Sequence, residues 1–197
     1  MRSFEMVGIP LGDRSMYEAV SLVYGDDIIR STHKNVQIGS WKDKMRHLEF
    51  VAALPHNLPK EIAPFFCGRS LRISVTQRVK RDNHVKHEVH NHVRLHIIGS
   101  ELFCIKPRFI IRRNPNPFCA RNAKTTLDAH VEVHAILPPP LCGIIENFMI
   151  KHATSDMINY TNVITNHVKK MTPFQIFVST FRHHGHTSPH DDPTHLS

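Results

Sequence analysis

No apolar run in this chain comes near the roughly 20 residues that span a bilayer, and the longest apolar words, such as Phe109-Ile110-Ile111, are broken by arginine and proline. The opening Met1-Arg2-Ser3-Phe4-Glu5 is not the continuous apolar stretch of a secretory signal. Cysteine is sparse: Cys67, Cys104, Cys119 and Cys142 form neither a CxxC pair nor a regular disulfide framework. That points to reduced thiols and a cytoplasmic home. There is no GxSxG, P-loop, GxGxxG or HExxH, so the common nucleophile, phosphate-cradle, dinucleotide and zinc signatures are missing. Inward carboxylates are nearly absent from the strand patterns described below, which leaves no acid–base pair, no catalytic residue and no cofactor to nominate. Asn159-Tyr160-Thr161 spells a glycosylation acceptor, but no secretion signal accompanies it.

Acidic residues are also in deficit. Seventeen Asp and Glu against 25 Lys and Arg give a formal charge of +8, which favours anionic partners such as a phospholipid surface or nucleic acid. The cations are spread over strands and turns (Arg72, Arg78, Lys80, Lys106, Arg108, Arg112 among them), with no recognition helix and no aromatic RNA-reading motif beside them. Nucleic acid is therefore the weaker of the two partners. A solvated basic surface without a specific partner accounts for the same composition.

What is present is alternation. At 197 residues, with 41% apolar and 21% charged residues, the chain is expected to hold one monomeric domain over residues 1–170. Leu71, Ile73, Val75 and Val79 share one parity; so do Val85, Val89, Val93, Leu95 and Ile97, then Phe103, Ile105, Phe109 and Ile111, and finally Leu127, Ala129, Val131, Val133, Ala135 and Leu137. Period-two patterning of this kind predicts antiparallel strands with one buried and one wet face. Upstream, Phe4–Ile9, Asn35–Ser40 and Met45–Leu54 read as further strands. Asp13 or Ser15 is placed to cap a short helix through Tyr24, and Ile28–Thr32 reads as a second one. After Pro138-Pro139-Pro140 the spacing changes to three and four, through Leu141, Ile145, Phe148, Met149, Met157, Ile164 and Val168. That stripe predicts an amphipathic helix of about seven to eight turns. Residues 171–197, rich in His, Pro and Asp, read as a disordered tail able to bind transition metals weakly.

Seventeen histidines raise the question of a metal. The strongest grouping joins His90 and His92 to His130 and His134, with Glu132 between the last two. All lie on the polar parity, so they are expected to face water. A strand carrying Lys106 and Arg108 is expected to separate the two pairs by about 10 Å and to repel a cation. His87 differs, since it falls at an inward parity.

The whole order, a strand, two short helices, six strands and a long helix, resembles the helix-grip fold of the START and Bet v 1-like superfamily. Within it, Gly39-Ser40-Trp41, Arg46-His47-Leu48-Glu49-Phe50 and Thr76-Gln77-Arg78 resemble the tryptophan, the R-x-L-x-aromatic strand and the glutamine-containing strand of VASt domains, which bind sterols. The resemblance runs over residues 4 to 168, without the GRAM domain and membrane anchor that usually accompany such modules. It implies an α+β fold, a curved antiparallel sheet of about seven strands around the long helix, with a sterol or other lipid held inside for transfer or sensing. A cytoplasmic protein, peripheral at intracellular membranes, is the expected setting. The expected cavity lining is Val75, Val79, His87, Val89, Val93, Leu95, Phe103, Ile105, Phe109, Val131 and Val133, with Ile145, Phe148, Met149 and Met157 from the helix. Phe65 and Phe66 are candidates to gate the cavity or touch a membrane. Two rivals remain: a cyclase- or hydrolase-like enzyme, with polar residues such as His87 and Asn91 converging inside, and a basic module binding anionic membrane or nucleic acid without a cavity. A filled interior favours the basic module.

Overall fold

A computed structural model describes residues 1–33, 35–54, 58–61, 63–66, 70–97, 99–113 and 125–170. The expected tail from 171, the proline loop within 114–124, and Cys67 and Cys119 lie outside them. The elements are β1 (Arg2–Pro10), α1 (Met16–Tyr24), α2 (Asp26–Thr32), β2 (Gln37–Ile38), β3 (Met45–Ala53), β4 (Ser70–Asp82), β5 (Lys86–Leu95), β6 (Phe103–Arg113), β7 (Thr125–Ala135) and α3 (Leu141–Lys170). The strands form one antiparallel sheet in the order β1-β7-β6-β5-β4-β3-β2. Strands 3 to 7 are a meander, while β1 crosses to pair with the last strand. With two short joined helices after β1 and a long helix packed on the sheet, the architecture is α+β and helix-grip-like.

Local chemistry explains the joints. Ser15 caps α1 through a capping box: its hydroxyl accepts from the Glu18 amide, and the Glu18 carboxylate accepts from the Ser15 amide. Gly25 ends α1 and starts α2. In β1, Val7 and Gly8 together oppose Asp128, between the pairs Met6–Ala129 and Ile9–Leu127. This bulge keeps Met6 and Ile9 on the same, inner face despite their odd separation. Gly8 adopts φ +72° there, and a Cβ would meet nothing within 4 Å. Gly8→Ala therefore carries only the backbone cost, about 1–2 kcal/mol. Its melting midpoint is expected to fall by about 2–8 °C, and an unchanged midpoint contradicts this reading.

The inner face is apolar where alternation predicts it. Val89, Ile105, Phe109, Ile111, Leu127, Ala129, Val131, Val133 and Ala135 are buried, together with Ile145, Met149, Met157 and Ile164 of α3. α3 packs mainly on β7 and β1 and against α2, while α1 lies over β6 and β5.

The differences from expectation are local. The strand expected over Asn35–Ser40 shrinks to Gln37–Ile38. Val85, expected on the buried face, is 61% exposed because the turn extends one residue further: the Asn83 side chain accepts from the amides of both Val85 and Lys86. β5 ends at Leu95 and β7 at Ala135, so Ile97 and Leu137 pack from beyond the strand ends.

Candidate functional site

The expected lining residues fall into two groups. His87, Val89, Leu95, Ile105, Phe109, Val131 and Val133 are buried on the sheet, and Ile145, Met149 and Met157 on the inner side of α3. Val75, Val79, Val93, Phe103 and Phe148 are only half-buried, as are Leu71 and Ile73. Most of these half-buried positions lie on β4 and β5, beyond the strands on which α3 chiefly rests. The interior is thus closely packed under α3, while on β4 and β5 buried inward positions (Gln77, His87, Val89, Asn91, Leu95) are mixed with half-buried ones.

Phe65 and Phe66 close one end. Phe65 stands edge-on to Phe103, with ring centroids 5.7 Å apart. With Leu95, Ile97, Ile145, Phe148 and Met149 these aromatics surround a wholly apolar void of about 10 Å³, room for one water at most. Ile73 pairs with Leu95 in the β4–β5 register, so the half-buried strip runs up to this void.

Polar groups also occupy inward positions. Arg46, Gln77 and Asn91 align across three adjacent strands, Arg46 opposite Gln77 and Gln77 opposite Asn91. All three are buried. Arg46 donates twice to Gln77 Oε1 (3.0 and 2.7 Å), once to the Tyr24 carbonyl (3.0 Å) and once to Asp26 Oδ1 (3.1 Å). Its guanidinium carbon stands 4.7 Å from the centre of the Trp41 ring, a cation–π contact. Burial pulls the Arg46 pKa down, against the pull of Asp26. The three words that carry the VASt resemblance thus meet at one place, where the α1–α2 joint is bolted to the sheet. Tyr24 and Tyr160 complete the layer. Burial pushes both phenols up, the Tyr160 hydroxyl donates to the Val23 carbonyl, and the Tyr24 hydroxyl is buried without a partner among the described residues.

The convergence expected of the enzyme reading does not form between His87 and Asn91. They lie four residues apart on β5, about 13 Å at strand rise, with Val89 between them. His87 is buried, its Nδ1 3.0 Å from Asp82 Oδ1 and its ring 5.8 Å from that of Tyr24.

The outer face holds the larger hollow, about 440 Å³. Its walls come from Thr76, Arg78 and Lys80 of β4, Asn91 with His90 and His92 of β5, Lys106, Pro107 and Arg108 of β6, and His130 and Glu132 of β7. Of the four histidines expected simply to face water, His90, His92 and His130 line this groove, His130 being only 16% exposed along its side chain, while His134 is exposed outside it. β6 runs between the two histidine pairs, with Arg108 opposite both His90 and His130. No group of three or more metal-ligating side chains forms among the described residues.

A chain feature opens this groove. The β5–β6 ladder runs from Lys86–Arg112 to His90–Arg108 and resumes, in the same register, at Val93–Ile105. Asn91 and His92 are left unpaired opposite Lys106 and Pro107, and proline has no N–H to give to the ladder.

Nearby, Glu88 is held by Lys86 at 2.6 Å and by His90 at 2.7 Å. The hydrogen bond from Lys86, and then that from His90, lower its pKa from 4.5 to about 2. The unfolded chain thus binds this proton more readily, and Glu88 contributes stability that is complete above pH 4.5 and is lost as pH falls towards 2. Glu88→Gln is expected to flatten the acid limb of a stability–pH profile in that window. An unaltered limb contradicts the assignment.

The buried polar row could have been found in the sequence, since Gln77 and Asn91 interrupt apolar parities. Glu146 carried a weaker signal, as a lone acid beside Ile145 in the α3 stripe. It is buried, accepting from the Ala135 amide at 3.0 Å. Among the described residues no helix is long and apolar enough to cross a membrane. No known family's sequence model matches this chain, and no curated protein matches it either.

Proposed function

We propose that this chain binds an apolar ligand, a sterol or phospholipid, between the inner sheet face and α3, for lipid transfer or sensing, as the VASt-like modules it resembles do. The observation that carries the reading is the strip of half-buried apolar side chains on β4 and β5, with Leu71, Ile73 and Val93 leading to the aromatic end at Phe65, Phe66, Phe103 and Phe148. Apolar surface left partly in water on an inward face is a binding surface waiting for an occupant. Covering it yields about 25 cal/mol per Å². Because the void itself holds about 10 Å³, the ligand lies along the strip and parts the aromatic end. Offering a fluorescent sterol and a fluorescent phospholipid from neutral vesicles tests this. Saturable uptake of either supports it, and uptake of neither overturns it.

The tight packing under α3 favours a second reading, the basic module. Its seat is the groove on the outer face, where four arginine and lysine side chains meet one glutamate.

A further inference from the structure

We propose that the groove on the outer sheet face binds a compact phosphorylated ligand. This deepens the second reading and is independent of any ligand inside the sheet.

Charge comes first. Arg78, Lys80, Lys106 and Arg108 face Glu132 across the groove. Glu132 is 3.8 Å from His130, and neither Lys80 nor Lys106 has an ion pair or hydrogen bond among the described residues. Arg78 directs its Nε and Nη2 only at the Met45 sulfur, 3.3 and 3.2 Å away, and a thioether is a weak acceptor. Guanidinium and ammonium groups with spare donors are the protein's means of holding phosphate.

One orphaned atom sharpens the ligand's chemistry. Arg108, on the outer parity between His90 and His130, lines the groove, and its Nε is buried without an acceptor among the described residues. Such an atom is costly to leave unmet. A phosphate oxygen satisfies it. A hollow of about 440 Å³ lies in the range of small-molecule sites. No aromatic residue other than histidine lines it, which leaves a nucleic-acid base little to stack on. A free phosphorylated polyol and a phosphorylated inositol lipid headgroup present the same chemistry.

Calorimetric titration of the full chain with inositol trisphosphate tests the site, alongside sedimentation with phosphatidylcholine vesicles containing phosphatidylinositol bisphosphate. Saturable binding is expected in at least one arm: the first alone identifies a soluble ligand, the second a headgroup. Arg78 and Lys106 are both exposed, so the Arg78→Gln/Lys106→Gln pair keeps the fold and is expected to weaken binding about tenfold or more. Absence of saturable binding in both arms overturns the proposal. So does affinity unchanged in the paired variant, or tight binding of single-stranded RNA that the trisphosphate does not displace. Uptake of fluorescent lipid by the paired variant is expected to match the parent, which separates failure here from failure of the interior reading.

Discussion

Replacing Arg46 with alanine is expected to remove about 3–5 kcal/mol of stability, the cost of breaking a buried, bonded charge from one side. The side chain is 3% exposed and supplies four hydrogen bonds to three partners on three elements. Without it, Gln77 Oε1 and the Tyr24 carbonyl stay buried with no donor from Arg46, and Trp41 loses the cation beneath its ring. A domain of this size has about 5–15 kcal/mol in total, so the loss is a large share of it. Arg46→Lys is expected to recover part only, because one ammonium cannot reproduce a planar fork reaching Gln77, Tyr24 and Asp26 together. Urea unfolding measures both. Trp41 is the chain's single tryptophan, so its emission reports the same cluster and is expected to change in the alanine variant. A loss below about 1 kcal/mol with unchanged emission contradicts the assigned role.

Ile73→Asn is expected to reduce uptake of fluorescent lipid by about ten- to a hundredfold, the worth of burying one large aliphatic side chain against a ligand. Ile73 lies on the half-buried strip, opposite Leu95 at the aromatic end and beside Phe50 of β3. Because it is already partly in water, the fold is expected to survive the change. Ile145→Ala is the contrast. Ile145 is buried on the inner side of α3, so its truncation is expected to cost about 2–5 kcal/mol of stability. Uptake unchanged in Ile73→Asn at full occupancy would remove the strip from the site.

Alternation made β4 to β7 readable because each strand has one wet and one dry face, and the change to three-and-four spacing after Pro140 made α3 readable. Val85 was misplaced because a side chain, that of Asn83, decided where the turn ended, and parity does not register that. Gln77 and Asn91 stood in the sequence as polar interruptions. Only the register of β3 to β5 shows that they and Arg46 form one row. The outer groove escaped for a related reason: polar parity reads as solvent, and Pro107 opens a gap only once its strand is paired with Asn91 and His92. How far α3 reaches across the inner face is a matter of helix placement, which periodicity does not carry.

Native mass spectrometry of the chain purified from a eukaryotic host tests the interior reading most directly. The account predicts a stoichiometric sterol or phospholipid that co-purifies, or is taken up from a panel of both, and is lost on denaturation. A bare mass that takes up nothing from the panel would contradict it and leave the basic groove as the seat of function.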